Sequence, residues 1–161
     1  TPEKLASLAN VAKEIGLPFE SVSLDALGAQ SDVIITIVSS QSAILKNADV
    51  RPGTHIACMG TDTKGKQEVE AALVARASVF TDEVAQSISI GECQHAINDG
   101  TLLQSDIHEL GHVINKTHPG RTSKDEVTLF DGTGVGLQDL AVASAAVKLA
   151  IKNGVAQEIE F

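Results

Sequence analysis

The chain has 161 residues, 43% of them hydrophobic, and a formal net charge of −9. With 21 acids against 12 bases it offers no basic surface to a polyanion, and with four Phe and no Trp or Tyr it has no platform for stacking single-stranded nucleic acid. No apolar run approaches the ~18 residues of a membrane span, and the length suits one domain with an aliphatic core.

The chain opens on a helix signal. Thr1 supplies a capping hydroxyl, Pro2 suits the first turn, and Leu5, Leu8, Val11, Ala12 and Ile15 recur at helical spacing until Gly16. Phe19 to Leu24 reads as a short strand. Val33 to Val38 is a continuous β-branched run, expected to be a strand buried on both faces. Thr54 to Met59 is a further strand, entered through Arg51-Pro52-Gly53. Gln67 to Ala77 reads as a helix, Ser78 to Thr81 as a strand, and Glu83 to Asn98 as a helix closed by Asp99-Gly100. Asn115 to Glu126 is polar and reads as a surface loop. Val127 to Phe130 is the last strand, and Val135 to Lys152 is a long Ala-rich helix ending at Asn153-Gly154. Strands alternating with helices imply βαβ units, a mostly parallel sheet and helices on both faces. Cys58 and Cys93 form no CxxC and read as reduced thiols of a cytoplasmic protein. No apolar leader precedes the first helix. A start at Thr1 rather than Met suggests that an upstream segment has been removed.

Four stretches carry candidate chemistry. His108-Glu109-Leu110-Gly111-His112 matches the zinc motif H-E-x-x-H, which needs both His on one face of one helix. Three features weigh against a metal. There is little helix ahead of His108, Gly111 costs helix propensity, and no Met follows to form the turn beneath such a metal. Asp131-Gly132-Thr133-Gly134, between a strand and a long helix, fits either a ligand approaching the backbone or a tight packing turn. Gly60 to Lys66 has the glycine spacing of a phosphate loop, but Gln67 replaces the Ser or Thr that would hold Mg²⁺. What remains is Asp62 and Lys66 in a loop at the carboxyl end of a buried strand, where open α/β sheets bind ligands. Thr36, Ser39 and Ser40 end the most hydrophobic strand, as ribose or phosphate contacts or as caps.

The blocks Ser31-Asp32-Val33-Ile34-Ile35-Thr36, Arg51-Pro52-Gly53-Thr54-His55-Ile56, Gly60-Thr61-Asp62 through Glu68, Gly91-Glu92-Cys93-Gln94-His95-Ala96, His118-Pro119-Gly120-Arg121-Thr122, Thr128 to Gly134 and Leu137-Gln138-Asp139-Leu140-Ala141 occur in this order. Through them nearly the whole chain resembles the ornithine cyclodeaminase/μ-crystallin family, and Met59 to Glu68 is most similar to its imine-reducing branch. The resemblance implies a Rossmann-type domain binding NAD(H) or NADP(H). It also implies reduction of an imine of a small imino or amino acid, of the iminosuccinate- or ketimine-reductase kind. Cyclodeaminase-type ammonia release and non-catalytic, crystallin-like binding are the alternatives it leaves. Carried over by position, Asp62 is the acid that contacts the substrate amine and assists proton transfer. Thr133 faces the substrate, and Thr36, Lys66 and Gly132 face the cofactor. No metal role falls on the His108–His112 stretch.

The same resemblance implies a homodimer for the full-length protein, with an N-terminal substrate and dimerisation domain and the first two Rossmann strands absent from this chain. In a sheet of order 3-2-1-4-5-6, those strands would lie between Phe19–Leu24 and Val33–Val38, leaving a gap at the sheet's centre.

Overall fold

The computed structural model describes residues 2–159. The elements are α1 (Pro2–Glu14), α2 (Leu24–Gln30), β1 (Val33–Thr36), β2 (Gln41–Leu45), β3 (His55–Cys58), β4 (Gln67–Val69), α3 (Ala71–Arg76), β5 (Ser78–Thr81), α4 (Val84–Ser89), α5 (Gln94–Asn98), β6 (Ile107–Glu109), α6 (Leu110–Ile114), β7 (Thr128–Asp131) and α7 (Gly136–Lys152). Thr1, the expected cap of α1, lies outside the described residues.

Five strands form one parallel sheet in the order β1-β3-β7-β5-β6, and β2 and β4 form a separate parallel pair. The last strand in sequence therefore inserts between β3 and β5, at the middle of the sheet. Ile34, Ile56, Leu129, Val79 and Ile107 contribute one buried side chain from each of the five strands. Leu73 and Val74 of α3 and Ala96 of α5 pack with them, all fully buried. An aliphatic set of this kind fills a sheet–helix interface without aromatics, as the composition requires.

Four expectations fail, each for a physical reason. Phe19 to Ser23 forms no strand, and Leu24 already belongs to α2. The described sheet accordingly has no central gap, and β1 is simply an edge strand. β1 is not buried on both faces: Ile34 and Thr36 are buried while Val33 and Ile35 are 58% and 67% exposed. Gln67 to Ala77 is not one helix, because Gln67–Val69 pairs with β2 before α3 begins. Glu83 to Asn98 breaks into α4 and α5, because Gly91 lets the chain turn closely against Asp131 and Ser87, where a Cβ would meet atoms at 2.5 and 2.7 Å.

Uncovered apolar side chains concentrate on three elements. Leu8, Val11 and Ile15 lie on or just after α1, Val33 and Ile35 on β1, and α7 buries none of its residues. No helix of the described residues is long and apolar enough to cross a membrane.

Candidate active site

Parallel pairing puts all the carboxyl ends of the sheet on one edge. Thr36, Cys58, Asp131, Thr81 and Glu109 are mutual register partners across β1, β3, β7, β5 and β6, a single row at that edge. The segments that leave this row carry the candidate residues. Met59 to Lys66 follows β3, Gly132 to Gly134 follows β7, and Asp82 follows β5. The register Cys58↔Asp131 sets the first two side by side. The structure thus gathers Asp62, Lys66, Gly132, Thr133 and Thr36 at one edge.

Asp62 is exposed, and its Oδ1 accepts hydrogen bonds from Lys66 Nζ at 2.7 Å and from the Thr63 hydroxyl at 3.0 Å. Those two donors, with the charge of Lys66, hold its carboxyl below the usual Asp value. It is a carboxylate at neutral pH. The loop beneath it is pinned by Gln94. The Gln94 Oε1 accepts from the Gly65 N–H at 2.7 Å, and its Nε2 donates to the carbonyls of Gly91 and Lys66. His95 Nε2 also reaches the Lys66 carbonyl, at 3.0 Å. Gly65 takes a φ of +88°, which glycine adopts without strain. Lys66 runs into β4 rather than into a helix, so no phosphate loop forms there.

On the neighbouring strand, Asp82 clamps the glycine turn. Its Oδ1 accepts from the Thr133 N–H at 3.1 Å and hydroxyl at 2.6 Å, and its Oδ2 from the Gly134 N–H at 2.8 Å. Partial burial works against ionisation of Asp82, but these hydrogen bonds outweigh it and hold the carboxyl low. Gly132 lies against Met59: a Cβ there would meet the Met59 sulfur and methyl at 2.7 Å. Thr36 is buried, and its hydroxyl donates to Glu68 Oε2 at 2.7 Å. The Ser40 hydroxyl closes a local turn with Ser42, which is the capping role.

In and behind the row lie three buried acids to which the sequence reading assigned no role, Glu68, Glu92 and Asp131. Glu68 also accepts from the N–H groups of Gly60, at 3.1 Å, and of Val38. Glu92 accepts from the Thr61 hydroxyl at 2.5 Å and from the N–H groups of Glu68 and Val69 at 2.9 and 2.6 Å. Asp131 Oδ2 accepts from the Ser87 hydroxyl at 2.6 Å and the Glu92 N–H at 2.9 Å, while its Oδ1 is buried without a partner among the described residues. The only available signal was position: Asp82 and Asp131 are acids at the carboxyl ends of apolar strands.

Burial pushes Glu92 up to about 7 and Asp131 up to about 6, with only partial relief from their donors. Each native value lies above that of the unfolded chain, so the folded state holds extra protons and loses stability as pH rises through that window. His55 and His108, lowered chiefly by burial, act the other way below about pH 6.5. A Glu92→Gln variant isolates the first effect. Its urea midpoint relative to the parent should rise between about pH 5 and about pH 8. The gain should be at most a few kcal/mol, since each tenfold change in proton affinity is worth about 1.4 kcal/mol. A constant difference across that range would refute it.

His108 lies on β6 and His112 on α6, so the two do not share a helical turn. His108 stacks instead on His118 with ring centroids 4.2 Å apart, and His118 meets Phe80 edge-on at 5.5 Å. His108 belongs to that packing, while His112 is exposed. Cys58 and Cys93 are both free and buried. The segment 115–126 is a loop, tied down by Arg121, which donates to the Gly53 and Glu126 carbonyls.

A parallel sheet with a charged, glycine-lined carboxyl edge defines a Rossmann-type α/β protein. The chain belongs to the ornithine cyclodeaminase/μ-crystallin family, which matches residues 1–153. It is 63% identical over 160 residues to the iminosuccinate reductase of Paracoccus denitrificans, covering 99% of this chain and 50% of that protein. The crystal structure of that reductase with NAD+ superposes with a TM-score of 0.95 at 62% identity, over 100% of this chain and 50% of the other. An archaeal alanine dehydrogenase dimer with bound NAD gives a TM-score of 0.90 at 30% identity, over 97% of this chain and 49% of that one. The chain thus spans about half the length of the curated relatives it matches.

Proposed function

We propose that this chain carries the nicotinamide side of an NAD(H) site and the substrate-facing carboxylate of an imine reductase acting on a small imino acid, iminosuccinate by similarity to the Paracoccus enzyme. The observation that carries the reading is the pair of adjacent segments at the carboxyl edge, the ionised Asp62 beside β3 and the Gly132–Thr133 turn beside β7.

The described residues fit the nicotinamide half of the cofactor. Gly132 has no side chain, Met59 offers an exposed apolar flank, and a Cβ at Gly134 would meet nothing within 4 Å. A planar ring can lie against such a surface. The segment after β1, Ile37-Val38-Ser39-Ser40, has no glycine to cradle a pyrophosphate. The resemblance to NAD-bound relatives favours NAD(H) over NADP(H).

When bound, the reduced nicotinamide supplies a hydride to the imine carbon. Asp62 accepts an N–H hydrogen bond from the protonated imine and so favours the electrophilic cation. Lys66 fixes the orientation of the Asp62 carboxylate and belongs to that pair as much as to a cofactor contact. The low pKa of Asp62 supports holding the charged nitrogen rather than giving up a proton. Thr133, fixed by Asp82, offers its hydroxyl oxygen to the substrate, and Thr36 lies beneath the cofactor's path with its hydroxyl already committed to Glu68.

The uncovered apolar faces of α1, β1 and α7 are further part of this reading. They suit an N-terminal domain of the kind that makes up the relatives' remaining length, together with a homodimer interface. Free buried cysteines fit a cytoplasmic setting. The test is an assay of the protein carrying this chain with NADH and iminosuccinate or cyclic imino acids, and separately with NAD+ and ornithine. Stoichiometric NADH oxidation with an imino acid is expected. Ammonia release from ornithine and NAD+ without net NADH formation would replace this reading with a cyclodeaminase, and binding without turnover with a crystallin-like protein.

A further inference from the structure

The three buried carboxylates form a directional chain. Asp131 holds the backbone N–H of Glu92, the Glu92 carboxylate holds the backbone N–H of Glu68, and the Glu68 carboxylate holds the backbone N–H of Gly60. Along the way the hydroxyls of Ser87, Thr61 and Thr36 are taken up as well. The chain runs from β7, through the turn between α4 and α5, through β4, to the loop after β3 and the end of β1. These are the segments that carry Gly132, Asp62 and Thr36.

Stability alone does not account for it. Glu68, Glu92 and Asp131 are 0%, 1% and 0% exposed, and the ion pairs of the described residues, Arg51–Asp32 and Lys66–Asp62, involve none of them. Carboxylates neutralised only by dipoles are poorer core material than apolar side chains of the same size. What they supply is direction. Glu92 fixes Thr61 by its hydroxyl, and Glu68 fixes Gly60 by its N–H, so the two residues preceding Asp62 are each gripped by a different buried acid.

We propose that Glu92 and Glu68 are positioning residues that clamp Gly60 and Thr61, and so set the Asp62 carboxylate relative to the Gly132–Thr133 turn. The proposal rests on the reading of Asp62 as the substrate-facing carboxylate, and it adds two residues that touch neither substrate nor cofactor.

The test is Glu92→Gln, with Glu68→Gln as the second variant, in the protein carrying this chain. Glutamine preserves shape but turns one oxygen into a donor, so the Thr61 hydroxyl or a backbone N–H loses its acceptor. Three quantities are read: the thermal midpoint, amide exchange over residues 60–69, and kcat against KM. Read at about pH 8, where the Glu92 carboxyl is ionised, the midpoint of Glu92→Gln should hold or rise, because a buried charge has been removed. Exchange over 60–69 should quicken about tenfold. kcat should fall about 10- to 100-fold with KM for NADH little changed, as a displaced catalytic group predicts. A kcat that falls only in step with the midpoint, or unchanged exchange and kcat in both variants, overturns the proposal. If the parent itself shows no imine reduction, the reading of Asp62 fails. The clamp is then judged on exchange alone, quickened exchange upholding it and unchanged exchange overturning it.

Discussion

Asp62→Asn is expected to lower kcat/KM for the imine by about 10²- to 10³-fold while leaving the affinity for NADH within about twofold. The substitution is isosteric and keeps an Oδ1 that can accept from Lys66 Nζ and the Thr63 hydroxyl. It removes only the negative charge. The side chain is 65% exposed and its ion pair with Lys66 lies on the surface, screened by water, so folding should change little. The catalytic loss has a different origin. In the proposed complex the carboxylate faces a cationic nitrogen in a cleft that substrate and cofactor close to water, where a charge is worth more than on an open surface. With Asn, Lys66 remains as an uncompensated positive charge beside the iminium, adding repulsion to the lost attraction. Steady-state kinetics, NADH fluorescence titration and thermal unfolding on the same preparation separate the three effects. Unchanged kcat/KM would remove Asp62 from the chemistry.

The strands most legible in the sequence were those the fold buries. Val79 and Phe80 of β5, Ile56 of β3 and Leu129 of β7 sit in short β-branched or apolar runs, and each became a strand within a residue or two of its expected ends. The errors arose where tertiary pairing overrode a local pattern. Gln67–Val69 has the helical spacing of the residues that follow it, yet it pairs with β2: the N–H groups of Gln67 and Glu70 donate to the Ser40 and Leu45 carbonyls, while Glu92 takes up those of Glu68 and Val69. Phe19 to Ser23 has strand composition but no strand beside it among the described residues. Val33 and Ile35 stay exposed because nothing described packs on that face of β1.

The site divides in the same way. Asp62, Lys66, Gly132 and Thr133 were candidates from the sequence through the family resemblance, in loops whose pattern alone left ligand and packing readings open; the structure brings them to one edge. Asp82, Glu68, Glu92 and Gln94 were not, because each acts on a segment far away in sequence: Asp82 on Thr133, Glu68 on Thr36, Glu92 on Thr61, Gln94 on Gly65. Spacing motifs cannot encode such partners. The His108–His112 motif failed for the converse reason. Its spacing is correct, but a strand ends and a helix begins inside it.

Gly60→Ala is the substitution with the largest expected cost to the fold. A Cβ at Gly60 would stand 2.3 Å from Glu68 Oε1, 2.5 Å from the Val38 carbonyl oxygen and 2.6 Å from the Val38 nitrogen. Two of these three atoms belong to the backbone, and the third is the carboxylate that the Val38 N–H and Thr36 hydroxyl hold in place. No flexible tip can swing aside, so either the loop after β3 or the end of β1 must move. Forced overpacking of this kind costs about 1–3 kcal/mol, and more where a buried acid also loses a donor, as Glu68 would lose the Gly60 N–H. The expected shift in thermal midpoint is about −2 to −12 °C, at about 2–4 °C per kcal/mol for a chain of this size or larger. Gly111→Ala supplies the opposite sign. Gly111 sits in α6, and a Cβ there would meet nothing within 4 Å, so alanine should raise stability by up to about 1 kcal/mol through helix propensity. The contrast separates steric exclusion from glycine's general flexibility, which predicts a gain at both sites. Activity separates them further. Gly60→Ala displaces the residue gripped by Glu68, two positions before Asp62, and should lose turnover even at temperatures where it remains folded. Gly111→Ala should keep it.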